Sequence, residues 1–260
     1  MRLMGQIREY QTPKGAVALW WFGQNGYILK SAEGTLAGVD LYLTDSCAAA
    51  YPEVDLHRKI PALIEPEDLE LDIFACTHNH QDHTDPETIG RLRNKDTFRF
   101  LGPAPSCTVY RQQHVEEGRI TTTYPDFQGE FADLRVTGTF ALPTDDSDLN
   151  HMGFVFQFGK GPKIYVTGDT DYHELLSATR KHEPDVMITC INGGYNNLSH
   201  WEAAKLAAEI KPKVAIPCHY DLFPDNCCDP KQFRAALTVA APSVLYQEMT
   251  YGEPLLVSLA

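Results

Sequence analysis

The order of apolar and polar positions along the chain predicts strands and helices alternating in two blocks. Val17 to Phe22 and Tyr27 to Lys30 are β-rich runs flanking Gly23-Gln24-Asn25-Gly26, a turn signal that predicts a hairpin. TLAGVD forms a third strand ending at Asp40. LDIFACT, Leu71 to Thr77, has the length of a buried strand and stops at a run of histidines. Pro86 heads a predicted helix, ETIGRLRN; FRFLGP then reads as a strand and SCTVYRQQHVEEG as a helix closing at Gly118. From about residue 131 the pattern resumes with the strands LRVTGTF, GFVFQFG and PKIYVTGD, a helix HELLSATRKHEP stopped by Pro184, and the strand DVMITCI. SHWEAAKLAAEI is a helix opened by the capping-box pair Ser199 and Glu202, and VAIPCHYDLF is a strand running into a loop. No Gly/Ser-rich linker and no short repeat divides the chain. The pattern therefore predicts one α/β domain over residues 1–260, two packed sheets with helices outside them.

Composition narrows the possible partners. The 260 residues, 43% hydrophobic, suffice for a sizeable core. A formal net charge of -13 disfavours the broad basic footprint that nucleic-acid binding needs, so no nucleic acid is expected as partner. No apolar run approaches the roughly 18 to 20 residues of a membrane span, and the start has no apolar signal-peptide stretch. The expectation is a cytoplasmic protein with no membrane partner, free to form a homo-oligomer. The 7 cysteines are dispersed without a CxxC pair, as expected of reduced thiols. Cys76, Cys190 and Cys218 fall in strand-like runs, where a thiol behaves as a small hydrophobe.

The chemistry concentrates in Thr77-His78-Asn79-His80-Gln81-Asp82-His83, directly after an apolar strand. Alternate residues of an extended segment project the same way, so His78 and His80 can converge on one ion while Asp82 and His83 offer a second pair. More ligands must come from other strand ends. His151 precedes GFVFQF, Asp169 ends IYVTGD behind Gly168, and His219 closes VAIPCH. His57, His114 and His182 read as ordinary side chains. Alternation points Cys218 away from the side of His219. The loop Ile191 to Asn197, with Asn192, Tyr195 and Asn197, is a candidate substrate contact through amides and backbone N–H groups.

HNHQDH, the GDT at 168–170 and the PCH at 217–219, in that order and each behind a strand-like run, resemble the metallo-β-lactamase superfamily. Within it, LWWFGQNGYILKS, the Asn192-Gly193-Gly194 turn and KVAIPCHYDLF resemble the branch of L-ascorbate-6-phosphate lactonases, although this chain is shorter than those proteins. The resemblance implies a four-layer αβ/βα sandwich with two divalent ions, zinc, manganese or iron, along one edge. It assigns His78, His80 and His151 to one ion, and Asp82, His83 and His219 to the other. Asp169 would bridge them, and Asp40 would fix a ligand loop by hydrogen bonds. The implied enzyme is a metal-dependent hydrolase opening a small anionic, sugar-derived lactone, L-ascorbate 6-phosphate first among candidates, through water activated by the ions. Metal-bound water, or a nearby acid such as His173 or Asp221, would protonate the leaving group. Alternatives are a phosphodiesterase of the same fold, acting on a cyclic nucleotide or other small phosphodiester, and a metal-bound scaffold without catalysis.

Overall fold

Strand β1 (Ala16–Trp21) sets the layers by its alternation: Val17, Leu19 and Trp21 join one apolar cluster, Ala18 and Trp20 another on the opposite face. The protein is described by a computed structural model covering residues 2–259. The other strands are β2 (Tyr27–Lys30), β3 (Leu36–Val39), β4 (Ile73–Ala75), β5 (Arg99–Gly102), β6 (Ile120–Thr122), β7 (Gln128–Phe131), β8 (Leu134–Phe140), β9 (Met152–Phe158), β10 (Lys163–Val166), β11 (Val186–Cys190), β12 (Val214–Cys218), β13 (Leu245–Tyr246) and β14 (Leu255–Ser258). The helices are α1 (Leu3–Glu9), α2 (Ser46–Ala50), α3 (Pro86–Arg91), α4 (Ala104–Gln112), α5 (His200–Ile210) and α6 (Pro230–Ala240).

Two 7-stranded sheets result, in the orders β14-β1-β2-β3-β4-β5-β6 and β13-β12-β11-β10-β9-β8-β7. Residues of α1, α3 and α4 pack on the outer face of the first sheet. Those of α5 and α6 join the cluster that fills the space between the sheets and the outer face of the second. The sandwich expected from the sequence is therefore present. Burial of this apolar surface is the main force holding the layers together.

Three details differ from the expectation. Strand β14, near the end of the chain, returns to pair antiparallel with β1, with Val17 opposite Val257, so the two sequence blocks do not map cleanly onto two sheets. The helix expected to reach Gly118 ends at Gln112, because His114 turns the backbone to φ 61°. Residues Glu174–His182 form 3-10 turns rather than an α-helix. Among the described residues, no helix is long and apolar enough to cross a membrane.

Register positions the chemistry. Strands β3 to β6 and β10 to β13 pair in parallel, and their carboxyl ends open along one edge of the sandwich, where parallel α/β sheets place ligand sites. Val39 is level with Ala75, and Cys190 with Cys218, so the residues that follow each pair leave the sheets together. Two backbone bonds lace the sheets there, Met152 N to Thr77 O at 3.1 Å and His219 N to Gln24 O at 3.1 Å.

Candidate metal centre

The histidine run leaves β4, His151 enters β9, Asp169 follows β10 and His219 follows β12. The fold brings these seven side chains into three overlapping triplets, His78/His80/His151, Asp82/His83/His219 and His78/His83/Asp169, whose nitrogen or oxygen atoms lie within 4.8 Å of one another. Gly168 is needed for this approach. It sits at φ 65°, and a Cβ there would meet Met152 O and Thr77 Cβ at 2.8 Å.

Each ring is oriented by what its other nitrogen touches. His83 Nδ1 lies 2.8 Å from Asp40 Oδ2, and His151 Nδ1 lies 3.1 Å from the Asp169 carbonyl. Carboxylate and carbonyl only accept, so both Nδ1 atoms donate, and in the neutral ring Nε2 is the nitrogen that carries the free lone pair. Thr77 Oγ1 donates to Asp40 and lies 3.1 Å from His78 Nδ1, which turns His78 Nε2 inward. His80 is held the other way, its Nε2 3.0 Å from Ser147 Oγ and 3.3 Å from Asp145 Oδ2.

Several inward atoms have no hydrogen-bond partner although fully buried: His78 Nε2, His151 Nε2 and Asp169 Oδ1. Orphaned buried polar atoms are costly and rare. Converging imidazole and carboxylate donors with free lone pairs are the set a divalent ion satisfies, so the residues present fit metal ions.

Electrostatics divides the cluster. Burial disfavours charge on His83 and His219, yet Asp169 and Asp82, with Asp40 acting on His83 as well, outweigh it, and both imidazoles titrate above the usual range. His78 and His151 are pushed below that range, first by burial; neighbouring histidines add to the effect on His78. Burial would raise Asp82 and Asp169, but the two imidazoles His83 and His219 hold both below the carboxylate norm.

Asp40, fully buried at φ 46°, accepts from Thr77 N, Thr77 Oγ1, Asn25 Nδ2 and His83 Nδ1 at 2.6 to 2.8 Å. It thus clamps the histidine run to the first hairpin. Asn197 does not face outward: its Nδ2 donates to Asp169 Oδ2 at 2.7 Å and the side chain is buried. Asn192 donates to Asn226 at 2.7 Å, and Tyr195 is exposed. His173 caps the 3-10 segment by accepting Leu175 N–H, and Asp221 pairs with Lys59 at 2.6 Å. The structure does not bring either of these two into the cluster. The Cys218 thiol is raised well above its usual range by burial and donates to Asn25 Oδ1.

The sequence reading passed over Gln24, Asp148 and Asn226. Gln24, fully buried, donates to Asp82 Oδ2 at 3.0 Å and packs its amide against the His219 ring. Asp148 accepts Asn79 N at 2.9 Å and Asn150 N at 2.8 Å, tying the histidine run to the approach of His151. Asn226 Nδ2 lies 3.3 Å from His219 Nδ1. Gln24 lay inside a turn signal, where a polar residue needs no further explanation; the others carried no signal of their own.

Comparison with known proteins agrees with this geometry. The sequence profile of the β-lactamase superfamily domain matches residues 18–219. A metal-dependent hydrolase of Anaeromyxobacter sp. (strain K) is 27% identical over 86% of this chain and 82% of its own length. A probable L-ascorbate-6-phosphate lactonase of Salmonella heidelberg is 22% identical over 88% of this chain and 76% of its own. Among solved structures, a metallo hydrolase of Ignicoccus hospitalis superposes with a TM-score of 0.74 at 19% identity, covering 94% of this chain and 100% of that one.

Proposed function

The chain belongs to the metallo-β-lactamase superfamily, and from that premise we propose that it is a metal-dependent hydrolase that opens a small lactone or related carboxylic ester. The observation that carries the reading is the set of buried, unpartnered atoms His78 Nε2, His151 Nε2 and Asp169 Oδ1 at the meeting point of two histidine triplets. His78, His80 and His151 would hold one divalent ion, Asp82, His83 and His219 a second, with Asp169 between them. Bound there, such ions lower the pKa of water and stabilise negative charge on an attacked carbonyl.

The chain's own groups prepare that chemistry. Asn197 fixes Asp169 by one oxygen and leaves the other, Oδ1, toward His83 Nε2 at 3.4 Å. Asp40 and the Asp169 carbonyl set the tautomers of His83 and His151 before any ligand arrives. The buried Cys218 thiol, raised by burial, donates to Asn25 Oδ1 and is not among the converging donors.

The donor set suits zinc, manganese or iron, so elemental analysis decides the metal. The lactone reading draws support from the name of the Salmonella relative, which makes L-ascorbate 6-phosphate the reference compound. Lactone opening followed by NMR under metal-replete conditions tests it. Turnover at the metal-free background, with rapid cleavage of a simple phosphodiester, would replace the lactonase reading by the phosphodiesterase one.

A further inference from the structure

The segments that surround the cluster carry no lysine or arginine. Residues 22–26, 40–57, 76–85, 141–151, 167–173, 191–199 and 219–229 contain ten acidic residues besides Asp40, Asp82, Asp148 and Asp169, but no fixed cation. The next two basic side chains on the loop after β3 are engaged. Arg58 donates to the carbonyls of Tyr42, Phe22 and Ile60, and Lys59 pairs with Asp221.

Large apolar side chains stand on the same segments. Leu149, two residues before His151, is 71% exposed, Tyr195 is 54% exposed and Tyr51 43%. Burial raises the phenols of Tyr51 and Tyr195, and Asp82 adds to both, with Asp145 acting on Tyr51 and Asp225 on Tyr195. The rim is also preformed: Tyr195 and Asn196 hold φ 54° and 57°, and Asn196 Nδ2 donates to Thr144 O at 2.8 Å, joining the loop after β11 to the loop before β9.

We infer, resting on the hydrolase reading above, that the substrate carries no anionic substituent: it is a lactone or ester with an apolar portion that lies against Tyr51, Tyr195 and Leu149. Asp82 and Asp169 would partly balance the positive charge of two divalent ions held there, leaving the remainder for the reacting carbonyl. A phosphate farther out on the substrate meets carboxylates and finds no guanidinium or ammonium to receive it. This departs from the anionic lactone expected from the sequence.

Three γ-lactones sharing one ring, with phenyl, hydroxymethyl or phosphorylated hydroxymethyl substituents, test the inference on the metal-loaded protein. The expected order of kcat/KM is phenyl, hydroxymethyl, phosphate, the last lower by about tenfold or more at low ionic strength, the gap narrowing with salt. Asp146→Lys, a change at an exposed side chain that touches none of the candidate ligands, is expected to raise turnover of the phosphorylated lactone and leave the others near their original values. Calorimetric binding of the corresponding non-hydrolysable cyclic ethers gives a second readout and is expected to follow the same order. A phosphorylated compound that equals or exceeds its hydroxymethyl partner overturns the inference while the hydrolase reading stands. A phenyl compound below the hydroxymethyl one overturns its apolar part. If no lactone turns over, the reaction assignment fails, and the order of ether binding alone decides the substrate class.

Discussion

Asp40 and His83 face each other at 2.8 Å with both side chains fully buried, 43 residues apart in sequence. The carboxylate also holds Thr77 and Asn25, so one group orients a candidate ligand, the strand end that launches the histidine run, and the first hairpin. Asp40→Asn keeps the shape and tolerates the left-handed backbone, but it loses the charge that receives His83 Nδ1–H. Affinity for zinc, measured by competition with a chromophoric chelator, is expected to fall about 10- to 100-fold. An unchanged affinity would show that Asp40 is structural only.

Asp169 lies close to both triplets, whereas His151 belongs to one. Asp169→Asn is therefore expected to lower metal content at both positions, and His151→Ala at one. Activity should drop at least about tenfold further in the Asn variant. Elemental analysis and turnover of both purified variants check this, and full activity of the Asn variant would remove Asp169 from between the ions.

The opposite displacements of the imidazoles give metal binding a pH signature. In the metal-free chain His83 and His219 retain protons above the usual histidine range, while His78 and His151 are neutral below it. A metal ion needs the neutral ring, so loading the Asp82/His83/His219 group near neutral pH must expel protons, and loading the His78/His80/His151 group expels few. Affinity of the first group should weaken as pH falls, before that of the second. Titration with zinc in buffers of differing ionisation enthalpy should show proton release at neutral pH; a titration without release would contradict the assignment.

Asp148 is buried and accepts from the backbones of Asn79 and Asn150. Asp148→Ala leaves those donors unpaired and should cost about 1–3 kcal/mol in denaturant unfolding of the metal-free protein. Because the contact spans the histidine run and the approach to His151, the same change should loosen zinc at the His78/His80/His151 group more than at the other, a difference that a purely global destabilisation would not produce.

The amino-acid sequence alone determined the layered architecture and the candidate ligands, because both are written locally. Period-two alternation marks the two faces of β1, Ser199 and Glu202 cap α5, and His78 to His83 are dense enough to be read without knowing what lies across from them. The four-residue β14 stayed unassigned because its apolar positions acquire meaning only against a partner strand, whereas α6, opened by Asp229 and Pro230, carried a local start signal that was not read. The roles of Gln24, Asn197 and Asp148 were decided by the tertiary structure. An amide or a carboxylate in a loop has the same composition whether it faces water or steadies a ligand, and Gln24 meets His219 only because β1 and β12 end on the same edge, 195 residues apart. The cation-free rim has the same origin. Each loop is unremarkable by itself, and the absence of a cation becomes a chemical property only when folding gathers those loops around one centre, where electrostatic interactions depend on distance in space and not along the chain.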